Sequence, residues 1–229
     1  MSVIRDYRWL NKDKIESIAH KIRQDMENTQ NPPRWPEVAD CAANFLKLNI
    51  LWTSIPSEGS TPVFARIYPT ERLIELNEDL PMLQDNFGLA QSTLGHEIGH
   101  WVLHVNQDEA QGSIRQTELD LNPPIEQKPF LCRSINVSDD YNTRLNKQQQ
   151  SIEWQAQHFS SCLLMPPYKL IEVKKGRKLT DYRHLLAMAQ DLGVSVSNLK
   201  HRLRDLDWIR TASGSKQLYL GQNLPKEVD

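Results

Sequence analysis

The 229-residue chain predicts an α+β fold: a small antiparallel sheet packed on a helical core, followed by a C-terminal segment resembling a helix-turn-helix. Three observations predict it. Apolar residues recur at helical spacing in well-separated stretches. Between them, residues 49–77 hold short β-prone runs bounded by Pro, Asn and Thr. The length suits one good-sized core, so residues 1–229 are expected to form a single domain. It divides into N-terminal helices, sheet and histidine helix (1–105), a long irregular connection (106–150) and a C-terminal helical part (151–229).

Asn11–Met26 is predicted helical from Ile15, Ile18, Ala19 and Ile22, and "NTQNPPRWP" breaks it. Val38–Leu48 is a second helix, with Val38, Ala42, Phe45 and Leu46 on its apolar side. "NILWTSIP" is a strand ended by proline, and "VFARIYPTERLIELN" is two short strands around Pro69-Thr70, or one bent strand. The next helix begins near Asp85 or Asn86, either a suitable cap, and runs to about Val105. Its stripe of Ile98, Trp101, Val102 and Val105 buries one side, leaving another for histidines. Asn106–Gln150 is rich in Gln, Asn, Asp and Pro, apart from the strand-like "PFLCRSINV". Connections this long are functional lids or partly disordered. Ile152, Ala156, Phe159 and Leu163 then mark a helix stopped by Pro166-Pro167. "YRHLLAMAQDLGVSVSNLKHRLRDLDWI" is helix, Gly193 turn, helix, and "KQLYLG" is a closing strand.

A net charge of −2 provides no overall field to recruit nucleic acid or anionic membrane. Cys41, Cys132 and Cys162 are few, odd in number and far apart, which is no disulfide framework and points to a reducing compartment. The N-terminal stretch lacks a secretion-signal pattern, and no run of about 18 apolar residues occurs. A soluble, cytoplasmic protein without membrane contact is expected.

The chemistry is concentrated in Leu94–His104, "LGHEIGHWVLH". Residues four apart on a helix differ by about 40° in direction, so His96 and His100 can share one cation. Glu97 lies beside them, placed to take a proton from a water whose pKa a metal lowers to about 7. A short His-Glu-x-x-His match also arises by chance, and the third ligand is the test. The longer form with glycine and a further histidine is excluded, because Leu103 and Asn106 stand at those positions. A carboxylate remains. Asp108, Glu109, Glu118, Asp120 and Glu126 all lie in the irregular connection, whereas Glu153 starts a helix and so has packed neighbours to hold it. The residues alone leave Glu153 between a metal ligand and a first-turn carboxylate favoured by the helix dipole.

"HEIGHWVLH" followed by "EWQAQHFSSCLLMP" resembles the ImmA/IrrE family of zinc metallopeptidases, over about residues 12–210. Its second block matches at Glu153, Ala156, Phe159, Leu163, Leu164, Met165 and Pro166. Gln157 replaces the usual asparagine, Ser160 the usual alanine, and the connection before Glu153 is longer than common. The resemblance implies a zincin-type core with His96, His100 and Glu153 as ligands of Zn2+ (or another divalent ion such as Mn2+) and Glu97 as general base. It also implies a substrate: a helix-turn-helix repressor or antitoxin, cleaved to release genes of mobile elements or stress responses.

Other residues are weighed against plainer roles. His104 lies about 80° round from His96, which aims it behind the ligands or at the edge of the core. His158 is about 140° from Glu153 and reads as structural or exposed. Tyr141, Tyr168 and His184 are candidates for stabilising the transition state. Ile74, Glu75, Leu76 and Asn77 are a candidate edge strand for an extended peptide. Cys132 reads as a small buried strand residue, the alternative being a thiolate that covers the metal. The 181–210 segment carries Lys200, Arg202 and Arg204, as a DNA-reading helix would, but Leu199, Leu203 and Leu206 give it a buried stripe. A DNA-binding or repressor-binding regulator with a non-catalytic metal site is therefore the competing reading.

Overall fold

The computed structural model describes residues 3–30, 32–57, 59, 61–111, 130–133 (backbone only), 147–212 and 217–225. Tyr141, Glu118, Asp120, Glu126 and the side chain of Cys132 lie outside the described residues. In order, the elements are α1 (Lys12–Glu27), α2 (Val38–Phe45), β1 (Asn49–Thr53), β2 (Val63–Tyr68) and β3 (Leu73–Asn77). Then come α3 (Pro81–Gln84), α4 (Phe87–His104), β4 (Phe130–Arg133), α5 (Lys147–Leu164) and α6 (Pro167–Lys174). The chain continues through α7 (Tyr182–Leu192), α8 (Val196–Asp205), β5 (Ile209–Thr211) and β6 (Leu218–Leu220). The fold is α+β, as the periodicities predict.

The sheet differs from expectation in one respect. Its order is β1-β3-β2-β4, with β2 antiparallel to both neighbours but β1 parallel to β3. It is mixed, not antiparallel. Residues 54–62, with Pro56 and Pro62, are too long for a tight hairpin. They carry the chain past the place β3 occupies, so β1 and β2 end up on opposite sides of it. Asn77 pins that crossing: its amide donates to the Ile55 and Val63 carbonyls at 3.0 and 2.7 Å and accepts from the Ile55 N–H. Ile74–Asn77 is thus an interior strand bonded on both sides, and the expectation that it offers a free edge is overturned.

α4 is the central helix. The Asn86 side chain accepts from the Leu89 amide, which settles the cap on the second of the two candidates. From Gln91 to His104 every residue is buried. The apolar stripe predicted one covered side, but the sheet, α2 and α5 enclose the helix from several. The N-terminal segment finishes the job. Ile4 bridges to Val105, and the Arg5 N–H donates to the His104 carbonyl at 2.9 Å, occupying an acceptor at the helix end.

α5 starts earlier than its apolar residues indicate, because Lys147 and Gln148–Gln150 are good helix formers that add turns without periodicity. Glu153 therefore stands in the second turn, and the first-turn dipole reading of it is overturned. α4 and α5 run antiparallel and touch almost backbone to backbone. A Cβ added at Gly99 would lie 2.8 Å from the Ala156 carbonyl oxygen, and one at Gly95 would lie 2.6 Å from Ser160 Oγ. Only small residues permit such an approach. Ser160, itself buried, donates to the Ser92 carbonyl at 3.1 Å.

The far end of α5 is held by polar groups. Pro166 and Pro167 stop the helix and leave carbonyls without intrahelical donors. Arg23 donates to Cys162 O at 2.6 Å, Trp35 to Leu164 O at 2.8 Å and Arg202 to Met165 O at 3.2 Å. Arg202, 1% exposed, also pairs with Glu16 at 2.5 Å. It thus belongs to the core and presents no charge to DNA. Asn198 on the same helix bonds Ser161 and Ser92, so α8 is stitched to both α4 and α5.

Candidate metal centre

The close approach of α4 and α5 brings Glu153, distant in sequence, to the two histidines of α4. His96 and His100, one turn apart on α4, turn the same edge toward Glu153 on α5. His96 Nε2 lies 3.0 Å from His100 Nε2 and 3.1 Å from Glu153 Oε2, and His100 Nε2 lies 3.6 Å from Glu153 Oε1. All ligand atoms of the trio fall within 4.8 Å of one another. A tetrahedral ion with bonds of about 2.0–2.1 Å needs ligand separations of about 3.3–3.4 Å; the two His96 distances fall slightly short of that, and the His100–Glu153 distance, to the other carboxylate oxygen, slightly exceeds it. The donor set, two imidazoles and a carboxylate, is the kind zinc takes when a fourth position stays open.

Electrostatics agree with the geometry. Burial alone would raise the Glu153 pKa, but His100 and His96 hold it well below the usual carboxylate range. Burial works against charge on His96, and Glu153 outweighs it, leaving that pKa raised. His100 is pushed down, chiefly by burial. Access is one-sided among the described residues: 38% of the Glu153 side chain is exposed, against 2% and 0% for His96 and His100.

Glu97, fully buried, sits next to His96 on the helix, about 100° round. Gln157, one turn beyond Glu153, reaches His96 and favours its protonated form. His104 does not join the trio. Its Nδ1 lies 3.1 Å from Nδ1 of His100, behind the ligand, which is the place its direction predicts. Burial and His100 push the His104 pKa down to about 3, so the ring is neutral at physiological pH.

The remaining candidates lie elsewhere. Tyr168 packs edge-on against Trp35 at 6.2 Å, beyond the far end of α5. The eleven steps from Glu153 to Leu164, about 1.5 Å each, put that end of α5 roughly 16 Å along the helix from Glu153. His184 accepts from the Lys178 N–H at 2.9 Å and ties the α6–α7 loop. His158 is buried, stacked on Trp154 and 3.6 Å from Asp205, and is structural as expected. The residues that sequence reasoning missed are Gly95 and Gly99, which set the helix spacing. Their signal was present: glycines four apart in an otherwise good helix, with Ala156 and Ser160 four apart on the other.

No family model matches the chain, and no curated protein matches it. Among solved structures, it is similar to a Mycobacterium tuberculosis transcriptional regulator. That likeness has a TM-score of 0.47 and 12% identity, over 84% of this chain and 47% of the other. The chain thus spans about half the length of that regulator, and a likeness so distant carries no argument about function. Among the described residues, no helix is long and apolar enough to cross a membrane.

Proposed function

We propose that the protein is a zinc-dependent endopeptidase of the ImmA/IrrE kind. In this reading it works in the cytoplasm and cleaves a helix-turn-helix repressor or antitoxin, so that the genes held by that partner are released. The observation that carries it is the convergence of His96, His100 and Glu153 beside a fully buried Glu97. The substrate class rests on the resemblance of "HEIGH" and "EWQAQHFSSCLLMP" to that family.

Zinc held by these three residues would polarise a scissile carbonyl and make a water acidic enough to attack it at neutral pH. The chain does the rest. Glu97 takes the water's proton as the oxygen bonds to the carbonyl carbon, then delivers it to the amine as the C–N bond breaks. Burial of Glu97 keeps bulk water from competing for that proton. With β3 closed on both sides, the sheet edges left for an extended peptide among the described residues are β1 and β4.

The competing reading is a DNA-binding or repressor-binding regulator whose metal is not catalytic. It has only Lys200 and Arg204 of its basic trio left on α8, and it has no use for Glu97. The test is to incubate zinc-loaded protein with any repressor-like product of a neighbouring gene. Wild type should cut, and Glu97→Gln should bind zinc but not cut. Equal cutting by Glu97→Gln would remove the mechanism, and a DNA shift with no cleavage would establish the regulator.

A further inference from the structure

The His100–His104 contact is left over once the trio is described. It joins two ring nitrogens 3.1 Å apart inside the protein, and a hydrogen bond there needs one donor and one acceptor. His100 has its other nitrogen, Nε2, facing His96 and Glu153. If Nε2 is to offer a lone pair, the neutral ring must carry its proton on Nδ1 and donate it to His104. The reverse direction would put a proton where the cation belongs. The direction of this one bond therefore decides whether His100 can be a ligand.

We propose that His104 is a positioning residue: its Nδ1 accepts the Nδ1–H of His100 and fixes the tautomer and ring angle that aim Nε2 at the metal. The inference rests on the metal-centre reading above. Metal-bound histidines are commonly held through their second nitrogen, most often by a carboxylate or carbonyl. Here α4 supplies the acceptor itself, one turn on from the ligand. His104 is in turn held in place. Its own carbonyl accepts from the Arg5 N–H, Gln155 approaches its ring from α5, and Gln155 donates to the Arg8 carbonyl at 3.2 Å. The N-terminal segment thus supports the residue that supports the ligand.

The test uses the bonding order of the side chains. In His104→Asn, Oδ1 takes the same position along the side chain as Nδ1 and keeps an acceptor there. His104→Leu removes the acceptor, and His104→Gln carries its amide one bond too far. Zinc affinity of the full chain is measured by chelator competition, with the visible spectrum of the cobalt-loaded protein and the melting of the metal-free protein alongside. His104→Leu and His104→Gln should bind zinc about 10–100-fold more weakly and shift the cobalt bands, while His104→Asn recovers affinity and spectrum. A packing role alone would follow the melting temperature. Wild-type affinity in His104→Leu or His104→Gln, or equal losses in all three variants, overturns the proposal. If His100→Ala binds zinc as tightly as wild type, the metal-centre reading itself has failed, and this inference with it.

Discussion

Two polar clusters on α5, one at its C-terminal end and one around Glu153, are built on opposite principles. At the C-terminal end every named contact joins a donor to an acceptor: Arg23, Trp35 and Arg202 face the carbonyls of Cys162, Leu164 and Met165. Around Glu153 the partners are instead side chains that can each offer a lone pair. Two imidazole nitrogens and a carboxylate converge, and only a proton or a cation placed among them relieves the arrangement. Buried polar groups that complete one another hold a fold. Those that can turn lone pairs toward a common place suit a cation, which is what the proposed metal centre requires.

Three substitutions separate these two clusters or join them. The largest effect belongs to Arg202→Met, which strips the carbonyl end of a buried cation and leaves Glu16 without its partner. It should cost about 3–5 kcal/mol in urea unfolding of the metal-free protein, while the folded fraction binds zinc as wild type does. Glu153→Gln should do the opposite. Its zinc affinity should fall by more than the ~10–100-fold seen when a residue behind a ligand is lost, with a much smaller change in metal-free stability. Gly99→Ala joins the two clusters, because a methyl at 2.8 Å from Ala156 O must force the helices apart. Overpacking of this kind should cost about 1–3 kcal/mol and weaken zinc as well, readable by unfolding and chelator competition on one sample.

The smallest effect lies at Asp205, held down to about 2 by the bond from His158 and by Lys12. A depressed carboxylate stabilises the fold fully above its ordinary pKa of about 4. That contribution is lost as pH falls through about 2. Asp205→Asn should therefore cost about 1 kcal/mol or less at pH 7, the carboxylate being partly exposed and screened. The gap to wild type should close in unfolding curves taken between pH 4 and 2.

Much of this was legible in the sequence. Periodicity located α1, α4, α5, α7 and α8, and Pro166-Pro167 and Gly193 marked where α5 and α7 stop. The i, i+4 histidines were readable because ligand geometry on one helix is local. Glu153 needed a second segment, and what brings it near is the small-residue contact of Gly95 and Gly99 with Ser160 and Ala156. Spacing arguments about ligands do not look for such a contact. The parallel pairing of β1 was hidden because strand order depends on where residues 54–62 cross, and a polar, proline-rich connection does not advertise its path. Arg202 misled as a surface charge, since a basic residue on an amphipathic helix is buried only where free carbonyls and an acid await it. Those groups come from α5 and α1.

The central claim is that His96, His100 and Glu153 form one metal centre. It is tested most directly by zinc stoichiometry of the purified full chain after removal of loosely bound ions. One tightly held zinc per chain is expected in wild type and in Glu97→Gln, and none in His100→Ala or Glu153→Ala. Stoichiometric zinc in either alanine variant, or none in wild type given excess metal, would contradict it.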